Sequence, residues 1–261
     1  RDTNVVKLTG IAGVFVIVSG PLLLGGCANP INAVTFDRYM EAGTAAEIRS
    51  DLSTAEEDYR RAYLNTQWGN LSKEEQFKSL GNLGRVKQRL GKDSEAKEIL
   101  TKAETIADQA YIDARVSHIR KEDASRTTYH VALLKRDLCK LGDAEALFKE
   151  ALTLEEQIRK GDHPNLSRRL CELAHIYFEQ GKYGEAVQFF ERCVGMAQRM
   201  GVERDNPAAF TYLVQEYVEV LKKVDRAADS VPWQAAYDRL MATRGVGDKP
   251  MSPWQHPPCP K

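Results

Sequence analysis

The chain has 261 residues, 43% hydrophobic and 28% charged, with 37 basic and 37 acidic side chains. That composition excludes disorder throughout, and the length allows one elongated domain with a substantial core. The charge balance removes any overall field toward nucleic acid or an anionic surface, so electrostatic recognition has to be local.

Residues 1–27 open with Arg1 and Lys7, continue as an apolar run from Leu8 to Leu24, and end in Gly25-Gly26-Cys27. The run is short for a membrane span and is interrupted by Gly10, Gly13, Gly20 and Pro21. Leu24-Gly25-Gly26-Cys27 resembles the lipobox of bacterial lipoprotein signals: a Leu, two small residues, then Cys. The resemblance implies cleavage after residue 26, palmitate-type acylation of Cys27, and a membrane partner reached through lipid. Ala28 stands where that family's inner-membrane retention signal has Asp, which implies the outer membrane, facing the periplasm. A signal anchor that stays attached, or an ordinary secretory signal, are the alternatives. Residues 27–35 read as the lipidated cysteine and a short tether.

From Phe36 the pattern is that of helical hairpins. The first, to Gly69, places Tyr39, Ala42, Gly43, Ala46, Ala55, Tyr59 and Ala62 on helical faces, with a capping serine expected in the Ser50–Ser53 turn. Ser72 and Glu75 form a capping-box pattern that opens the second, whose apolar and small positions are Leu80, Leu83, Gly84, Gly91, Ala96, Leu100 and Ala103. A long second helix is expected from there to Arg120–Asp123. The third hairpin starts near Arg126. Its second helix shows Ala144, Phe148 and Ala151, and Leu141-Gly142-Asp143 reads as a shortened turn. The fourth, Ser167 to Met200, is the clearest: Leu170, Leu173, Ala174 and Tyr177, then Gly181 and Tyr183, then Ala186, Phe190 and Cys193. Asn206-Pro207 begins a fifth with Phe210, Leu213, Tyr217, Val220 and Leu221. Pro232-Trp233 starts a last helix that caps the array through Trp233, Tyr237 and Leu240. Residues 245–261, with five prolines and Trp254, read as a disordered tail.

These residues resemble the tetratricopeptide repeat, which has a large residue at position four, Leu and a small residue at seven and eight, and Tyr at eleven. Ala at twenty, Phe at twenty-four and a small residue at twenty-seven complete the pattern. Gln198 replaces the family's later proline, and Gly161 to Asn165 resembles the longer repeats of the kinesin light chain type. The resemblance implies an all-α solenoid of about five hairpins over residues 36–244 with a C-terminal capping helix. It also implies a scaffold that binds a peptide or partner helix in a concave groove lined by positions two, five, nine, twelve and thirteen. In the second hairpin these are Lys78, Gly81, Arg85, Gln88 and Arg89. In the third, with Gly142 at position fifteen, they are Tyr129, Ala132, Arg136, Cys139 and Lys140. In the fourth they are Arg168, Cys171, His175, Phe178 and Glu179. Basic residues predominate, so the expected partner is acidic. The Asn, Lys and Arg set of the family's carboxylate clamp is not reproduced.

Catalytic patterns are not found: HExxH, GxSxG and phosphate-binding Gly-rich loops are all missing, and His118, His130, His163, His175 and His256 are scattered. The five cysteines show no zinc-site spacing. No catalytic residue, metal, cofactor, nucleic acid or small-molecule substrate is expected. A bridge between Cys171 and Cys193 is not expected, because positions five and twenty-seven point in different directions. Cys259 reads as free or paired with another chain. The leading reading is a lipid-anchored periplasmic adaptor in envelope assembly: pilus or secretin assembly, outer-membrane protein insertion, or wall-hydrolase regulation. An enzyme or ligand-binding protein with a site between repeats, and a cytoplasmic regulatory repeat protein, are the alternatives.

Overall fold

The computed structural model describes residues 29–116 and 120–242, together with Cys259. The candidate signal with Cys27, and the tail with Trp254, lie outside the described residues apart from Cys259. Among those residues there are eleven helices and no strand. They are α1 (Pro30–Ile48), α2 (Leu52–Trp68), α3 (Lys73–Arg89), α4 (Asp93–Val116), α5 (Lys121–Asp137) and α6 (Leu141–Ile158), followed by α7 (Pro164–Glu179), α8 (Tyr183–Arg199), the short α9 (Val202–Asp205), α10 (Pro207–Lys223) and α11 (Ala227–Ala242). They pack as five hairpins, α1/α2, α3/α4, α5/α6, α7/α8 and α10/α11, each against its neighbours in sequence order. This is the all-α solenoid expected, with α11 closing the array.

Every hairpin turns the same way. The first helix ends at a residue in the left-handed region: Ser50 (φ 61°), Gly91 (φ 72°), Cys139 (φ 57°), Gly181 (φ 73°) and Asp225 (φ 57°). The N–H of the following residue donates back into the first helix, Asp51 to Ala46, Lys92 to Lys87, Lys140 to Lys135, Lys182 to Tyr177 and Arg226 to Leu221, at 2.8–2.9 Å. That six-to-one bond satisfies a carbonyl the helix end would otherwise leave bare. The third hairpin is therefore not shortened. Cys139, and not Gly142, occupies the turn position, and the groove positions of α5 move three residues toward the N-terminus, to Arg126, Tyr129, Leu133, Arg136 and Asp137. A cysteine was not legible as a turn residue because its left-handed backbone carries a Cβ penalty that glycine avoids.

Counted from these turns, one position after another fits. The small residues Ala55, Ala96, Ala144 and Ala186 are fully buried, and Tyr59, Leu100, Phe148 and Phe190 lie one turn further on, inside the core. Gly84 shows how tight the crossing is: a Cβ there would lie 2.5 Å from Leu100 Cγ. The Ser72–Glu75 capping box is formed, with Ser72 N donating to Glu75 Oε2 at 2.8 Å and Glu75 N to Ser72 Oγ at 3.2 Å.

Four boundaries differ from expectation. Residues 30–35, expected in the tether, form the start of α1, because Asn29 caps it and Pro30 suits a first helical position. α4 stops at Val116, and the charged residues expected at its end open α5, where Glu122 and Asp123 favour a helix N-terminus. Asp51 rather than a serine caps α2, accepting from Thr54 N at 3.1 Å. Pro232 lies inside α11 rather than at its start, on an exposed surface.

Cys171 and Cys193 form a disulfide between α7 and α8, with Cα atoms 5.3 Å apart. The close approach allowed by Ala174 and Ala186 overrides the direction argument, which treated both helices as isolated cylinders. Cys259 is joined to Cys139, Cα to Cα 5.4 Å, so it is neither free nor intermolecular.

Replacing Gly84 by Ala is expected to lower stability by about 1–3 kcal/mol through overpacking against Leu100, and Ala186→Trp by at least that much. Urea unfolding followed by far-ultraviolet circular dichroism checks both. Under reducing conditions Cys139→Gly is expected to be more stable than Cys139→Ser by about 1 kcal/mol, since only the glycine relaxes the left-handed turn.

Candidate functional site

The first helices α1, α3, α5, α7 and α10 line one face of the solenoid. Along it runs a series of side-chain pairs joining each helix to the next. Glu47 on α1 accepts from Tyr59 (2.7 Å), Arg85 (2.7 Å) and Arg89 (2.9 Å). Arg85 also faces Asp137 on α5 at 3.6 Å. Arg136 pairs with Glu172 on α7, which also accepts from Tyr129 at 3.2 Å. His175 meets Glu216 on α10, Nδ1 to Oε2 2.6 Å. Every junction between hairpins is thus bridged at the floor of the groove.

This arrangement changes the role of several expected contact residues. Tyr129 and Arg136 are only 3% and 2% exposed. Tyr129 packs against Phe148, with ring centroids 5.8 Å apart, beneath the guanidinium of Arg169. Arg85 is mostly enclosed by its acidic partners. These three residues hold the groove together from beneath its surface. Arg89 belongs to the same network through Glu47. Lys78 lines the groove wall, Arg168 is exposed on it, and Phe178 packs edge-on against Tyr183 with centroids 5.6 Å apart. Gln88 is half-buried near the turn end of α3.

Two cavities open along the face. The first, about 340 Å³, lies among the first three hairpins and is lined by Thr44, Glu47, Lys78, Arg85, His130 and Asp137 among others. The second, about 380 Å³, lies between the fourth and fifth and is lined by Cys171, His175, Met200, Phe210, Tyr212 and Leu213 among others. Arg168 borders both, which makes them parts of one groove. The first is ringed by charged and polar groups around apolar surface from Phe77, Leu133 and Leu134; the second has an apolar floor.

The acidic residues Glu47, Asp137, Glu172 and Glu216 were not singled out from the sequence. Asp137 was hidden by the three-residue shift at Cys139. The others stand at positions six and twelve of their repeats, and a Glu at such a position had no visible partner until the neighbouring helix was in place.

The two groove histidines are tuned in opposite directions. Burial of the His175 ring works against protonation, but the adjacent Glu216 carboxylate, helped by Glu172, outweighs it and raises the pKa above 6.5. His130 is pushed well below 6.5 by burial and by the surrounding cations Lys78, Arg169, Arg168 and Arg126. Glu74, 3.7 Å from its ring, does not reverse that, because it is already engaged by Arg126 and Thr127.

Family models for the tetratricopeptide repeat match residues 77–109 and 123–199. These residues are tetratricopeptide repeats. The repeat solenoid has counterparts among solved structures. BtubC (BKLC) from P. vanneervenii is 17% identical, with a TM-score of 0.57 over 82% of this chain and 83% of that one. A putative kinesin light chain from Podosopora anserina with nearly identical repeats is 16% identical, TM-score 0.51, covering 80% and 94%. The Rap conjugation gene regulator of plasmid pLS20, in complex with the Phr* peptide, is 18% identical, TM-score 0.53, covering 88% of this chain and 59% of that one. At these identities the likeness shows the fold. No curated protein sequence matches the chain.

Reversing Arg85 and Arg136 together to Glu is expected to unfold the protein. Each buried pair that loses its partner costs about 3–5 kcal/mol, and the new carboxylates would face Glu47, Asp137 and Glu172. Lys78→Glu should leave the urea midpoint nearly unchanged. His175 gives a pH test. A raised folded-state pKa means that its pairing with Glu216 stabilises fully below pH 6.5 and is lost as the pH rises through the folded value. His175→Gln should therefore lower the melting temperature most in mildly acidic buffer and least in alkaline buffer. His130 has the opposite sign. Its depressed pKa costs stability as the pH falls below 6.5, so His130→Gln should reduce acid sensitivity.

Proposed function

We propose that this chain is a lipid-anchored scaffold of the bacterial cell envelope that holds an extended segment of another protein in its concave groove. The observation that carries the reading is the groove itself, a continuous face with its floor tied by paired charges and two cavities opening along it. A pre-tied floor lets a partner bind without first ordering the wall it binds to, which lowers the cost of association. The Rap regulator of similar fold has a structure in complex with the Phr* peptide, which agrees with this use of the architecture.

Pairing of Arg85, Arg89, Arg136 and His175 with carboxylates removes the argument for a uniformly acidic partner. The better match is a segment that presents an apolar side chain to the cavity over Met200, Phe210 and Leu213, and polar or charged groups of mixed sign near Lys78 and Asp137. The lipobox-like Leu24–Cys27 supports membrane anchoring, and Ala28 supports the outer membrane. Pilus or secretin assembly, outer-membrane protein insertion and wall-hydrolase regulation all use scaffolds of this kind.

Two experiments test the halves separately. Cys27→Ser is expected to abolish acylation and release the protein from the membrane fraction, read by intact mass and fractionation. An unchanged mass and distribution would end the lipoprotein reading. Photo-crosslinking side chains placed at Lys78 and Phe178 in living cells should capture one and the same partner. The same groups at Lys97 and Gln188, exposed on second helices, should not. Equal capture from both faces would overturn groove binding.

A further inference from the structure

The first two hairpins carry an apolar edge that neither the groove nor the core uses. Among the described residues, seven large hydrophobic side chains are exposed, and five of them, Ile31, Val34, Trp68, Ile112 and Val116, belong to the same edge of the solenoid. Backbone contacts bring the helix ends together there. Asn29 N donates to Gly69 O at 2.9 Å, so the start of α1 lies against the end of α2. Gly69 is so close to Asn32 that a methyl group would overlap it. Lys73, at the start of α3, pairs with Asp113 at 2.7 Å and draws in the last turns of α4, which carry Ile112 and Val116.

The part of this edge that the first hairpin supplies is without charge. Residues 29–36 and 62–72 contain no Asp, Glu, Lys or Arg, in a chain that is 28% charged. Around it the charges come in both signs: Lys73 pairs with Asp113 and Arg115 with Glu150 at 2.9 Å, and Asp37 and Arg38, one turn along α1 from Val34, are one acidic and one basic residue. Those stretches carry Trp68 at 72% exposure and Ile31 at 74%, together with the neutral polar residues Asn29, Asn32, Thr35, Gln67 and Asn70. An indole among aliphatic and neutral hydrogen-bonding groups suits the boundary between lipid headgroups and acyl chains.

We propose that this edge docks on the surface of the bilayer from which the chain emerges. The inference rests on the membrane attachment proposed above, but on its location rather than its chemistry. Cys27 precedes Asn29 by two residues, so a lipid on its thiol would lie within about 7 Å of chain from the patch. An uncleaved apolar run from Leu8 to Leu24 would end within about 17 Å of chain from it. Docking there fixes the solenoid's orientation and leaves the edge formed by the hairpin turns facing away. Because the patch is neutral, it recognises the apolar interface and not anionic headgroups, and salt should not release it.

The test uses the full chain reconstituted in phosphatidylethanolamine–phosphatidylglycerol vesicles. Trp68 emission is isolated as the difference between the native chain and Trp68→Phe, a change at an exposed residue whose fold is checked by circular dichroism. Trp68 is expected to be shielded from iodide and quenched roughly twofold by lipids brominated near the headgroup end of the acyl chain, equally at low and high salt. Emission that iodide quenches and brominated lipid does not would overturn the proposal. Shielding from both quenchers would also overturn it, by showing that protein covers the patch. The intact mass of the same sample reads the anchor separately. An unacylated chain with Trp68 quenched by lipid leaves docking standing without the lipid anchor. An acylated chain with Trp68 free in solvent keeps the anchor and removes the docking.

Discussion

The buried carboxylate of Glu47 sets the pattern on which the rest of the structure depends. It accepts from Tyr59 in its own hairpin and from Arg85 and Arg89 in the next, and Arg85 passes the connection on to Asp137. Arg136–Glu172 and His175–Glu216 repeat the device along the array. A solenoid has no contacts between distant repeats, so its cohesion is the sum of its junctions. Apolar packing supplies most of that cohesion, but packing alone allows neighbouring hairpins to slide. A charge pair buried between them fixes one register, since a slipped register would leave both charges without compensation.

A second series of pairs runs along the edge of the hairpin turns. Lys92 reaches Glu56, Lys140 reaches Glu104, Lys182 reaches Glu145 and Arg226 reaches Glu191, each residue following a left-handed turn residue and meeting the preceding hairpin. These are mostly solvent-exposed and contribute little individually. Their regularity shows that the turn does more than reverse the chain: the left-handed residue aims the next side chain back at the previous repeat. The two series differ in energetic consequence because one is dry and the other wet, and the cations differ with them: arginine and histidine in the buried series, mostly lysine in the exposed one.

Most of the fold was legible in the sequence, and the reason is local. Ala186, Phe190 and Leu170 sit at spacings that only a close-packed helical hairpin satisfies, and the capping box at Ser72 and Glu75 involves residues three apart. The site was less legible because its determinants are not local. Nothing in the sequence near Arg136 announces that Glu172 lies against it, so the arginine read as a groove residue free to meet an acidic partner. Cys139 compounded this. Its place in the turn cycle was visible only from the backbone, and the resulting shift concealed Asp137, the residue that compensates Arg85. The Cys171–Cys193 bridge escaped for a related reason: side-chain direction was judged helix by helix, while the bond depends on how closely two helices approach.

The disulfide between Cys139 and Cys259 has a mechanical meaning. It converts the chain from residue 139 to residue 259 into a covalent ring that contains the fourth and fifth hairpins. Tension applied between the start of α1 and Cys259 would cross from Cys259 directly to Cys139, bypassing α6 and those hairpins, and would be borne by α1 to α5. The strained stretch and the protected stretch thus meet at the turn of α5 and α6. The cavity over Met200, Phe210 and Leu213 lies on the protected side, where it would keep its shape while the other end of the molecule is strained.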